Sequence, residues 1–593
     1  MGTLYYGDNL PILRDHIKDE SVDLVYLDPP FKSDANYNAF FQGKSGASAS
    51  QIKAFEDTWH WINKDNESMS EFQKMLGDAR TPDAVRKLLQ AYHDFLGGSD
   101  MMAYLVMMSP RLVELKRVLK PTGSLYLHCD PTASHYLKLL LDAVFGKENY
   151  QNEIIWKRTT THSDSKTWSR VADSIFFYTK GKTFCWNTPR EQHSEEYRDT
   201  KYRYDDNDGR GLYRLDNMTS PNPRPNMMYE WKGFPFPPKG WRYSRETMTQ
   251  LDEEGRVWYP RKKSGELDTT KRPQLKRYLN EMAGGVMGTV WTDISPINSQ
   301  AQERLGYPTQ KPLSLMRRII EASSNPGDLV LDPFCGCGTT IDAAEKSGRE
   351  WIGIDITQIA MTTIKKRLWD TYHETKTVRF TRGSDTAEGR AGSPLPAAAR
   401  GESSASPDGA HGVTRPTEMV VRIIGEPATP EDAAAMAKDD PYGFQWWAAG
   451  LVGGQGGAEK KKGADTGIDG RIIFFDDPKS ATGEEIILQV KGGNLKADDV
   501  RALGFVVQRE QAAMGVLISV AEPTDKMYAD AAAAGYYTHK LTGQKYPRLQ
   551  LRTVKELMEA KGIERPSEHA ARDETFKKAP KAKAKSDGQK ELI

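Results

Sequence analysis

A loop of alternating glycine and cysteine, Phe334-Cys335-Gly336-Cys337-Gly338, constrains the fold of this chain more than any other segment. It follows a short apolar run that is typical of a buried strand and ends in Asp332, and it leads into a helix-like stretch. Gly336 and Gly338 allow the backbone to approach a ligand closely. A strand that passes through such a turn into a helix predicts a nucleotide-type pocket, although an ordinary strand-to-helix turn also fits this segment.

The next strand-like segment, 351–355, ends in another carboxylate, Asp355. In a doubly wound fold, a carboxylate at this place accepts hydrogen bonds from ribose hydroxyl groups. Neither a third glycine nor a phosphate-binding lysine follows the loop. A dinucleotide or a nucleoside triphosphate therefore fits less well than an adenosine that carries a phosphate-free tail.

A second buried-strand pattern, 22–27, ends in Asp28-Pro29-Pro30-Phe31. Two prolines fix the backbone and remove two donors, so the carbonyl groups of this loop remain free to accept hydrogen bonds from an amine. An exocyclic amine held by the Asp28 carboxylate and the Pro29 carbonyl would be drawn toward tetrahedral geometry, which exposes its lone pair to an electrophilic methyl group. Phe31 would offer a flat surface for a base swung out of the duplex. The motif therefore predicts methyl transfer to a nucleobase amine.

Asp28-Pro29-Pro30-Phe31 and the loop 332–338 together resemble the S-adenosylmethionine-dependent DNA amino-methyltransferases, and the order of the two motifs resembles their beta class. The resemblance covers roughly residues 1–380. It implies S-adenosylmethionine as cofactor and double-stranded DNA as substrate. The aspartate form of the catalytic motif usually accompanies adenine methylation in that family, so adenine is the expected base. Methylation of cytosine or of RNA is the alternative.

The resemblance also implies which residues bind the cofactor: Asp8, Lys311, Asp332, Phe334, Gly336, Gly338 and Asp355. Asp8 corresponds to a family segment beside the adenine of the cofactor, although a simple turn carboxylate explains it equally well. Lys311 belongs to the segment 307–312, which in the family closes over the methionine end of the cofactor. This segment precedes a predicted helix, whose free amide groups could also receive the cofactor carboxylate.

Alternating helix and buried-strand patterns predict an α/β fold, a doubly wound, mostly parallel Rossmann-like sheet with an inserted target-recognition region. In such a sheet the catalytic and cofactor loops can follow the carboxyl ends of neighbouring parallel strands and converge on one crevice, whatever their order along the chain. His128 and Asp130 end a further strand, and we assign them to the scaffold rather than to catalysis.

Loops rich in proline and glycine between residues 151 and 300 interleave basic and aromatic side chains. Examples are Trp156-Lys157-Arg158, Trp231-Lys232, Gly240-Trp241-Arg242-Tyr243, the segment 258–263 and Lys271-Arg272-Pro273. Such loops can bind phosphates and contact bases at the same time. We expect this region to recognise the target sequence, and a generic solvated surface is the alternative.

A separate pattern follows a segment rich in glycine, alanine, serine and proline. Asp469 precedes one strand-like run, and Gln489 and Lys491 lie two positions apart on the next, so their side chains share a face. An acid, an oxygen ligand and a lysine in this arrangement can bind Mg²⁺ and activate water for attack on a phosphodiester. The Gly-Ile-Asp-Gly and Gln-Val-Lys segments resemble Mrr-like restriction endonuclease domains, which implies a smaller α/β domain of the PD-(D/E)xK type over about residues 440–540.

Two features of this second domain weaken the expectation of catalysis. Gln489 replaces the second carboxylate that is usual in the wider nuclease group, and Gln445 stands where related domains often have a glutamate. The site therefore carries less negative charge with which to hold a metal ion. A DNA-binding or partner-binding domain that does not cut is the alternative.

These patterns and the shifts in composition give the expected order of segments. They are a catalytic half at 1–150, the recognition region at 151–300, a cofactor-binding half at 301–381, a flexible linker at 382–418, the nuclease-like domain at 419–563 and a disordered basic tail at 564–593.

The overall composition excludes little but fits this organisation. The chain has 593 residues, with 82 Lys and Arg against 81 Asp and Glu, so any nucleic-acid surface must be a local patch. Four scattered cysteines provide no disulfide framework, and no apolar run approaches twenty residues. We expect a reduced, cytoplasmic protein without a membrane segment, acting alone, as a homodimer or with a partner of a restriction system.

Overall fold

The computed structural model describes residues 2–30, 37–42, 48–55, 67–161, 166–191, 195–282, 284–298, 301–307, 309–383, 417–456, 467–476, 483–566, 572–573, 575 and 579–581. Phe31, most of the predicted linker and most of the predicted tail lie outside these residues. The chain divides into two compact units, one of residues 1–187 and 289–587 and the other built on residues 188–288.

The first unit contains a ten-stranded sheet. In chain order its strands are β1 (Gly2–Tyr6), β2 (Val22–Leu27), β3 (Leu119–Cys129), β4 (Tyr150–Lys157), β5 (Ala172–Thr179), β6 (Val290–Trp291), β7 (Leu329–Asp332), β8 (Glu350–Asp355), β9 (Lys376–Arg382) and β10 (Thr417–Ile424). They lie side by side in the order β6-β4-β5-β3-β2-β7-β8-β1-β10-β9. Among these described strands only β5 is antiparallel to its neighbours, which confirms the predicted, mostly parallel sheet.

Adjacent residues of the central strands pack into different cores. Leu24 and Val330 belong to one cluster of buried side chains, whereas Val25 and Leu331 belong to another. The first cluster includes residues of the helices Leu313–Ser323, Thr339–Lys346 and Gln358–Tyr372. The second includes residues of the helices Asn9–His16, Glu67–Gly77, Asp83–Leu96, Asp100–Val118 and Ser134–Phe145. Helices therefore cover both faces, as a doubly wound sheet requires.

Strand β10 lies in a part of the chain that we predict to be linker and the start of the second domain. It runs between β1 and β9, parallel to both. Met419, Val421 and Ile423 enter the core at every second residue, which is the period of a strand. The main sheet therefore extends to Ile424, whereas we expected its domain to end at residue 381 and the nuclease-like domain to begin at residue 419.

A second sheet of six strands belongs to the same unit. Five of its strands neighbour one another in the order β11 (Gln455–Gly456), β12 (Gly470–Phe475), β13 (Glu484–Lys491), β14 (Met514–Ser519) and β15 (Leu549–Thr553), and Arg572–Asp573 pairs with β12. β12 and β13 are antiparallel, whereas β13, β14 and β15 are parallel. The accompanying helices are Pro430–Asp439, Pro441–Leu451, Ala497–Arg509, Asp525–Ala533 and Val554–Met558. The smaller α/β architecture is therefore as predicted.

The unit built on residues 188–288 has its own small core. Three strands, Tyr213–Asn217, Val257–Trp258 and Gln274–Tyr278, form its sheet, Arg190–Glu191 pairs with Gly285–Val286, and its helices are Glu195–Lys201 and Arg245–Glu253. The predicted recognition region was wider, because residues 151–187 and 289–300 belong to the first unit.

The aromatic residues of this unit correct a second expectation. Trp231 and Trp241 are buried and pack with Met218 and Met248, so these two rings form the core and are not available to contact bases. The predicted basic residues nevertheless remain exposed, namely Arg261, Lys262, Lys263, Lys271 and Arg272.

Two further observations complete the description. The strands Tyr37–Gln42 and Ser48–Phe55 form an antiparallel hairpin. Within the described ranges no helix is long and apolar enough to cross a membrane.

The place of β10 in the main sheet predicts a large effect on stability from its buried side chains. Replacing Ile423, which is 3% exposed, by alanine should lower the free energy of unfolding by about 2–5 kcal/mol, because it leaves a cavity in the core. Arg422→Ala, at the neighbouring partly exposed position, should change it by less than about 0.5 kcal/mol. Urea unfolding measures both values, and equal effects would contradict a buried central strand.

Candidate active site

The two predicted loops leave adjacent strands at the same edge of the main sheet. β2 and β7 are parallel neighbours, with Leu24 opposite Val330 and Val25 opposite Leu331. Asp28 follows the end of β2 and Asp332 ends β7, so both carboxylates lie at the carboxyl edge. The predicted convergence of the two motifs is therefore present, although Phe31 lies outside the described residues.

The glycine-rich loop depends on two glycines for its path. Gly336 has φ +49° and Gly338 has φ +75°, backbone angles that favour glycine. A Cβ atom on Gly336 would lie 3.3 Å from the ring of Tyr307, and one on Gly338 would lie 2.8 Å from Ile364. The loop thus needs both glycines in order to pass close to its neighbours and enter the helix Thr339–Lys346.

Asp332 is a buried carboxylate, so its ionised form carries a desolvation cost. One of its oxygens accepts a hydrogen bond from the Phe334 amide at 3.0 Å. Burial and the nearby charges of Asp28 and Asp355 together raise the pKa of Asp332 to about 7, although the hydrogen bonds from Thr340 and Phe334 lower it. Such a group can switch between accepting and donating a hydrogen bond near neutral pH.

Asp355 stands at the end of β8, next to the glycine-rich loop. Its Oδ2 accepts a hydrogen bond from the Gly336 amide at 2.8 Å, and its Oδ1 accepts from the Thr357 amide and hydroxyl at 2.9 and 2.6 Å. Burial raises its pKa. Asp355 therefore fixes the loop as well as presenting a carboxylate at the place predicted for a ribose contact, where each oxygen retains further acceptor capacity.

Asp28 has one paired and one unpaired oxygen. The ammonium group of Lys311 donates a hydrogen bond to its Oδ2. Its Oδ1 is buried and has no hydrogen-bond partner in the part of the chain that the structure describes. Pro29 and Pro30 follow and contribute no amide donors of their own. The carboxylate is thus oriented by Lys311 and retains an acceptor for an incoming amine.

Lys311 makes a contact with Asp28 that we did not predict, and its binding of the cofactor stays a prediction. Lys311 reaches the Asp28 carboxylate, and the Tyr307 ring lies against Gly336. At the start of the following helix, the Leu313 amide donates to Glu303 at 3.1 Å. That amide already has an acceptor, and so it is less suited to receive a cofactor carboxylate than we predicted.

Asn9 and Arg111 contribute to the site without any signal in the sequence. Asn9 follows β1 and donates a hydrogen bond of 2.8 Å to the carbonyl of Pro333 in the cofactor loop. Arg111 donates to Asn9 at 2.6 Å and to Asp8 at 2.7 Å. Asp8 also caps the helix Asn9–His16. Asp8 therefore has a structural role in addition to its predicted place beside the cofactor.

A buried polar chain lies beneath the catalytic loop. Tyr26, two residues before Asp28, hydrogen bonds to His128 over 2.8 Å, and His128 contacts Asp173 over 3.1 Å. Arg158 pairs with the other oxygen of Asp173 at 3.3 Å. Burial raises the pKa of Tyr26 well above its usual value. His128 is fully buried, which agrees with the scaffold role that we assigned to it.

In the second sheet, Asp469 contacts the strand β13, which carries Gln489 and Lys491. The Asp469 Oδ2 accepts a hydrogen bond of 2.7 Å from the Val490 amide, between the other two residues. Gln489 Oε1 is buried and, within the described residues, has no hydrogen-bond partner. Lys491 pairs with Asp499 at 3.1 Å.

This arrangement can accept a cation, but it contains few charged ligands. An orphaned amide oxygen beside a carboxylate fits a hard divalent ion such as Mg²⁺. However, the described part of the chain holds no group of three or more His, Cys, Asp and Glu side chains placed for a metal ion. Among the described residues, Asp469 and Gln489 are therefore the candidate ligands for such an ion.

Comparison with known proteins identifies the larger part of the chain. Residues 22–366 match the family described as DNA methylase, of the N6 and N4 class. This match spans more than half of the chain and includes both the Asp28 loop and the glycine-rich loop. The chain belongs to the DNA methylase family.

Three relatives are similar to different extents. The type II methyltransferase M.EcaI of Enterobacter cloacae is 34% identical over 280 residues, which are 47% of this chain and 59% of the relative. The Mod subunit of the type III restriction-modification enzyme StyLTI of Salmonella typhimurium is 27% identical over 403 residues, 63% of this chain and 56% of the relative. The DNA adenine methyltransferase YhdJ of Escherichia coli strain K12 is 54% identical over 71 residues, 12% of this chain and 24% of the relative. The matches thus span less than two thirds of each relative.

The raised pKa of Asp332 predicts a pH-dependent stability. Its pKa is about 7 in the folded protein and about 3.8 as its ordinary value, so the folded state binds the proton more tightly than the unfolded state. Protonation of Asp332 therefore stabilises the folded state. This contribution to the free energy of unfolding, roughly 4 kcal/mol, is fully present below pH 3.8 and is lost as the pH rises through 7.

Asp332→Asn should remove this dependence. The difference between the unfolding free energies of wild type and variant, measured in urea from pH 4 to 8 without cofactor, should therefore shift in favour of the variant as the pH rises. A difference that stays constant over this range would contradict a raised pKa.

Proposed function

We propose that this protein transfers a methyl group from S-adenosylmethionine to the N6 amine of adenine in double-stranded DNA. The observation that carries this proposal is the Asp28 carboxylate, which is held by Lys311 through one oxygen and has its other oxygen buried and unpaired within the described residues. Membership of the DNA methylase family and similarity to a DNA adenine methyltransferase support the choice of substrate.

The residues around the glycine-rich loop suit the cofactor. Gly336 leaves room beside the Tyr307 ring that a Cβ atom would occupy. Asp332 and Asp355 provide buried carboxylates at the ends of neighbouring strands, and Phe334 adds a half-buried ring and an amide. We propose that these residues, with Gly338 and Asp8 at the margin, hold S-adenosylmethionine, which supplies an electrophilic methyl group on a sulfonium centre.

The catalytic loop would act by positioning the amine and stabilising the charge that develops on it. Asp28 Oδ1 and the Pro29 carbonyl would accept hydrogen bonds from the two N–H groups of the amine, which orients the nitrogen lone pair for in-line displacement. As the nitrogen becomes positive in the transition state, these acceptors bind it more strongly than in the ground state. Lys311 pairs with this carboxylate and fixes its rotamer. Pro30 stiffens the loop, and Phe31 would support the flipped base.

Replacing Asp28 by asparagine tests this role. Asp28→Asn should slow methyl transfer at least about 100-fold, because a charged acceptor is lost at the reacting amine. Binding of S-adenosylhomocysteine should remain, since the glycine-rich loop is unchanged. Tritium transfer from labelled cofactor to DNA gives the rate, and nucleoside analysis of the product distinguishes N6-methyladenine from N4-methylcytosine.

Asp19→Asn is a suitable control, because Asp19 is an exposed carboxylate that precedes β2, at the opposite edge of the sheet. It should methylate at the wild-type rate. Normal methylation by a folded Asp28→Asn variant would contradict the assignment, and N4-methylcytosine as the product would contradict the choice of adenine.

We also propose that the second sheet carries a Mg²⁺-dependent nuclease of a restriction system. Two observations favour this second function. Gln489 Oε1 is buried without a hydrogen-bond partner among the described residues, and the Asp469 carboxylate contacts the amide of the next residue, Val490. Asp469 and Gln489 would hold the ion, and Lys491 would polarise the attacking water after leaving Asp499. The similarity to a Mod subunit supports a restriction-modification setting in which a partner chain or a second copy takes part.

The nuclease proposal predicts that Lys491→Ala abolishes Mg²⁺-dependent cleavage of unmethylated DNA while methylation continues. Lys526→Ala, an exposed lysine on the helix Asp525–Ala533, should cleave like wild type. Gel analysis of plasmid DNA with Mg²⁺, Mn²⁺ or a chelator measures both. If wild-type protein cuts neither methylated nor unmethylated DNA with any of these ions, the domain is a binding module and not a nuclease.

A further inference from the structure

The connection between β4 and β5 carries an unusual side chain at the edge of the sheet that bears the catalytic loop. Trp168 is 98% exposed, the highest value among the large hydrophobic side chains of the described residues. Tryptophan is on average a highly buried residue. Two other exposed tryptophans have stacking partners, since Trp186 stacks on Phe177 and Trp369 stacks on His373, whereas the described residues provide no ring contact for Trp168.

The direction of β4 fixes where this connection lies. β5 is antiparallel to both β3 and β4, and β3 is parallel to β2. β4 therefore runs in the same direction as β2, so its carboxyl end and the residues that follow it leave the sheet on the same edge as Asp28. The Arg158 amide donates to the Val171 carbonyl at 2.9 Å, which closes the base of the connection.

The buried polar chain joins this base to the catalytic strand. Arg158 pairs with Asp173, Asp173 contacts His128, and His128 hydrogen bonds to Tyr26. Tyr26 lies on β2, two residues before Asp28. Side-chain contacts of 3.3 Å or less thus run from Arg158, at the start of the connection, to Tyr26 near the end of β2. The base of the connection therefore has a defined position relative to the strand that leads into Asp28.

The charges around Trp168 match a polyanion. Residues 157–171 contain four Lys or Arg and a single Asp. Lys157, Lys166 and Arg170 are exposed, and none of the three forms an ion pair with any residue that the structure describes. Lysine and arginine that are not neutralised within the protein can contact phosphates on either side of an aromatic ring.

We propose that Trp168 inserts into duplex DNA beside the target base and stacks on its neighbours when that base leaves the helix. Removing a base from the duplex leaves its neighbours unstacked, and an inserted aromatic ring restores part of the lost stacking. Lys166 and Arg170 would bind the flanking phosphates. This inference rests on the proposed DNA methyltransferase function and adds a DNA contact from the sheet unit itself.

Duplex binding by the full-length protein tests the role of Trp168. The probe is a short fluorescent duplex cut from DNA that the wild type methylates, or one of random sequence if it methylates none, titrated in the presence of S-adenosylhomocysteine. Trp168→Ala should weaken binding by about tenfold or more, because stacking on a base is lost. Trp168→Phe should retain most of the affinity, and the matched control Trp369→Ala should bind like wild type.

The control is chosen for its position. Trp369 lies in the last turn of the helix Gln358–Tyr372, which starts at the carboxyl edge of the sheet just after β8 and runs back toward the opposite edge. It is 48% exposed. Thermal unfolding and cofactor-analogue binding should be unchanged in Trp168→Ala, since an exposed ring contributes little to folding.

The outcomes separate this inference from the function on which it rests. If the wild type methylates DNA and Trp168→Ala binds the duplex like Trp369→Ala, the inserted tryptophan is refuted and the methyltransferase stands. A loss in Trp168→Phe as large as in Trp168→Ala refutes stacking. If the duplex affinity depends on Trp168 but the wild type transfers no methyl group, the DNA contact stands and the proposed function fails.

Discussion

Backbone hydrogen bonding between the parallel strands β2 and β7 is the constraint on which the proposed active site depends. Their register fixes the distance between two loops that lie about three hundred residues apart in the sequence. A slip of one residue would turn Leu24 and Val330 toward the wrong core, because alternate side chains enter different faces. The two hydrophobic cores therefore hold the catalytic and cofactor carboxylates in place.

Electrostatics set the second constraint on this site. The pKa of Asp332 is raised in part by the nearby charges of Asp28 and Asp355. Lys311 opposes this accumulation of charge by pairing with Asp28, and the amides of Gly336 and Phe334 bind the other two carboxylates. A ligand that brings a positive centre and hydroxyl donors would relieve the remaining repulsion, which is the chemistry that we propose for the cofactor.

The sequence predicted the parts of the fold that local patterns determine. The strand Val22–Leu27, the helix Leu313–Ser323 and the turn at Gly336 have clear signatures of period, length and backbone freedom, and the structure confirms each. Contacts between residues that are distant in the sequence have no such local signature. Nothing in the residues around Asn9 or Arg111 indicates that they meet the Pro333 carbonyl, since only the folded sheet brings these segments together.

The errors have physical causes of the same kind. The apolar alternation at 419–423 is a strand signal, but it follows a segment of low complexity and precedes a new domain, so the boundary was placed too early. Trp231 and Trp241 lie beside basic residues in the sequence, a pattern that is also typical of a nucleic-acid-binding surface. A unit of about one hundred residues, however, needs its large rings to form a hydrophobic core.

The two proposed reactions share one physical feature: near the end of a strand, a buried oxygen has no hydrogen-bond partner among the residues that the structure describes. Leaving such an acceptor unpaired costs about 1–3 kcal/mol. Other buried atoms, such as Ser124 Oγ and Thr371 Oγ1, are also unpaired within the described residues, so the property alone does not identify a site.

Asp28 Oδ1 and Gln489 Oε1 differ from these hydroxyl groups in two respects. A hydroxyl group can rotate and donate, whereas a carboxylate or amide oxygen can only accept. Each of the two also lies beside a charged neighbour, Lys311 or Asp469, that fixes its surroundings. An acceptor held rigidly and left unsatisfied stores binding free energy for a donor or cation that arrives from outside, which is the physical basis for assigning both reactions to these strand ends.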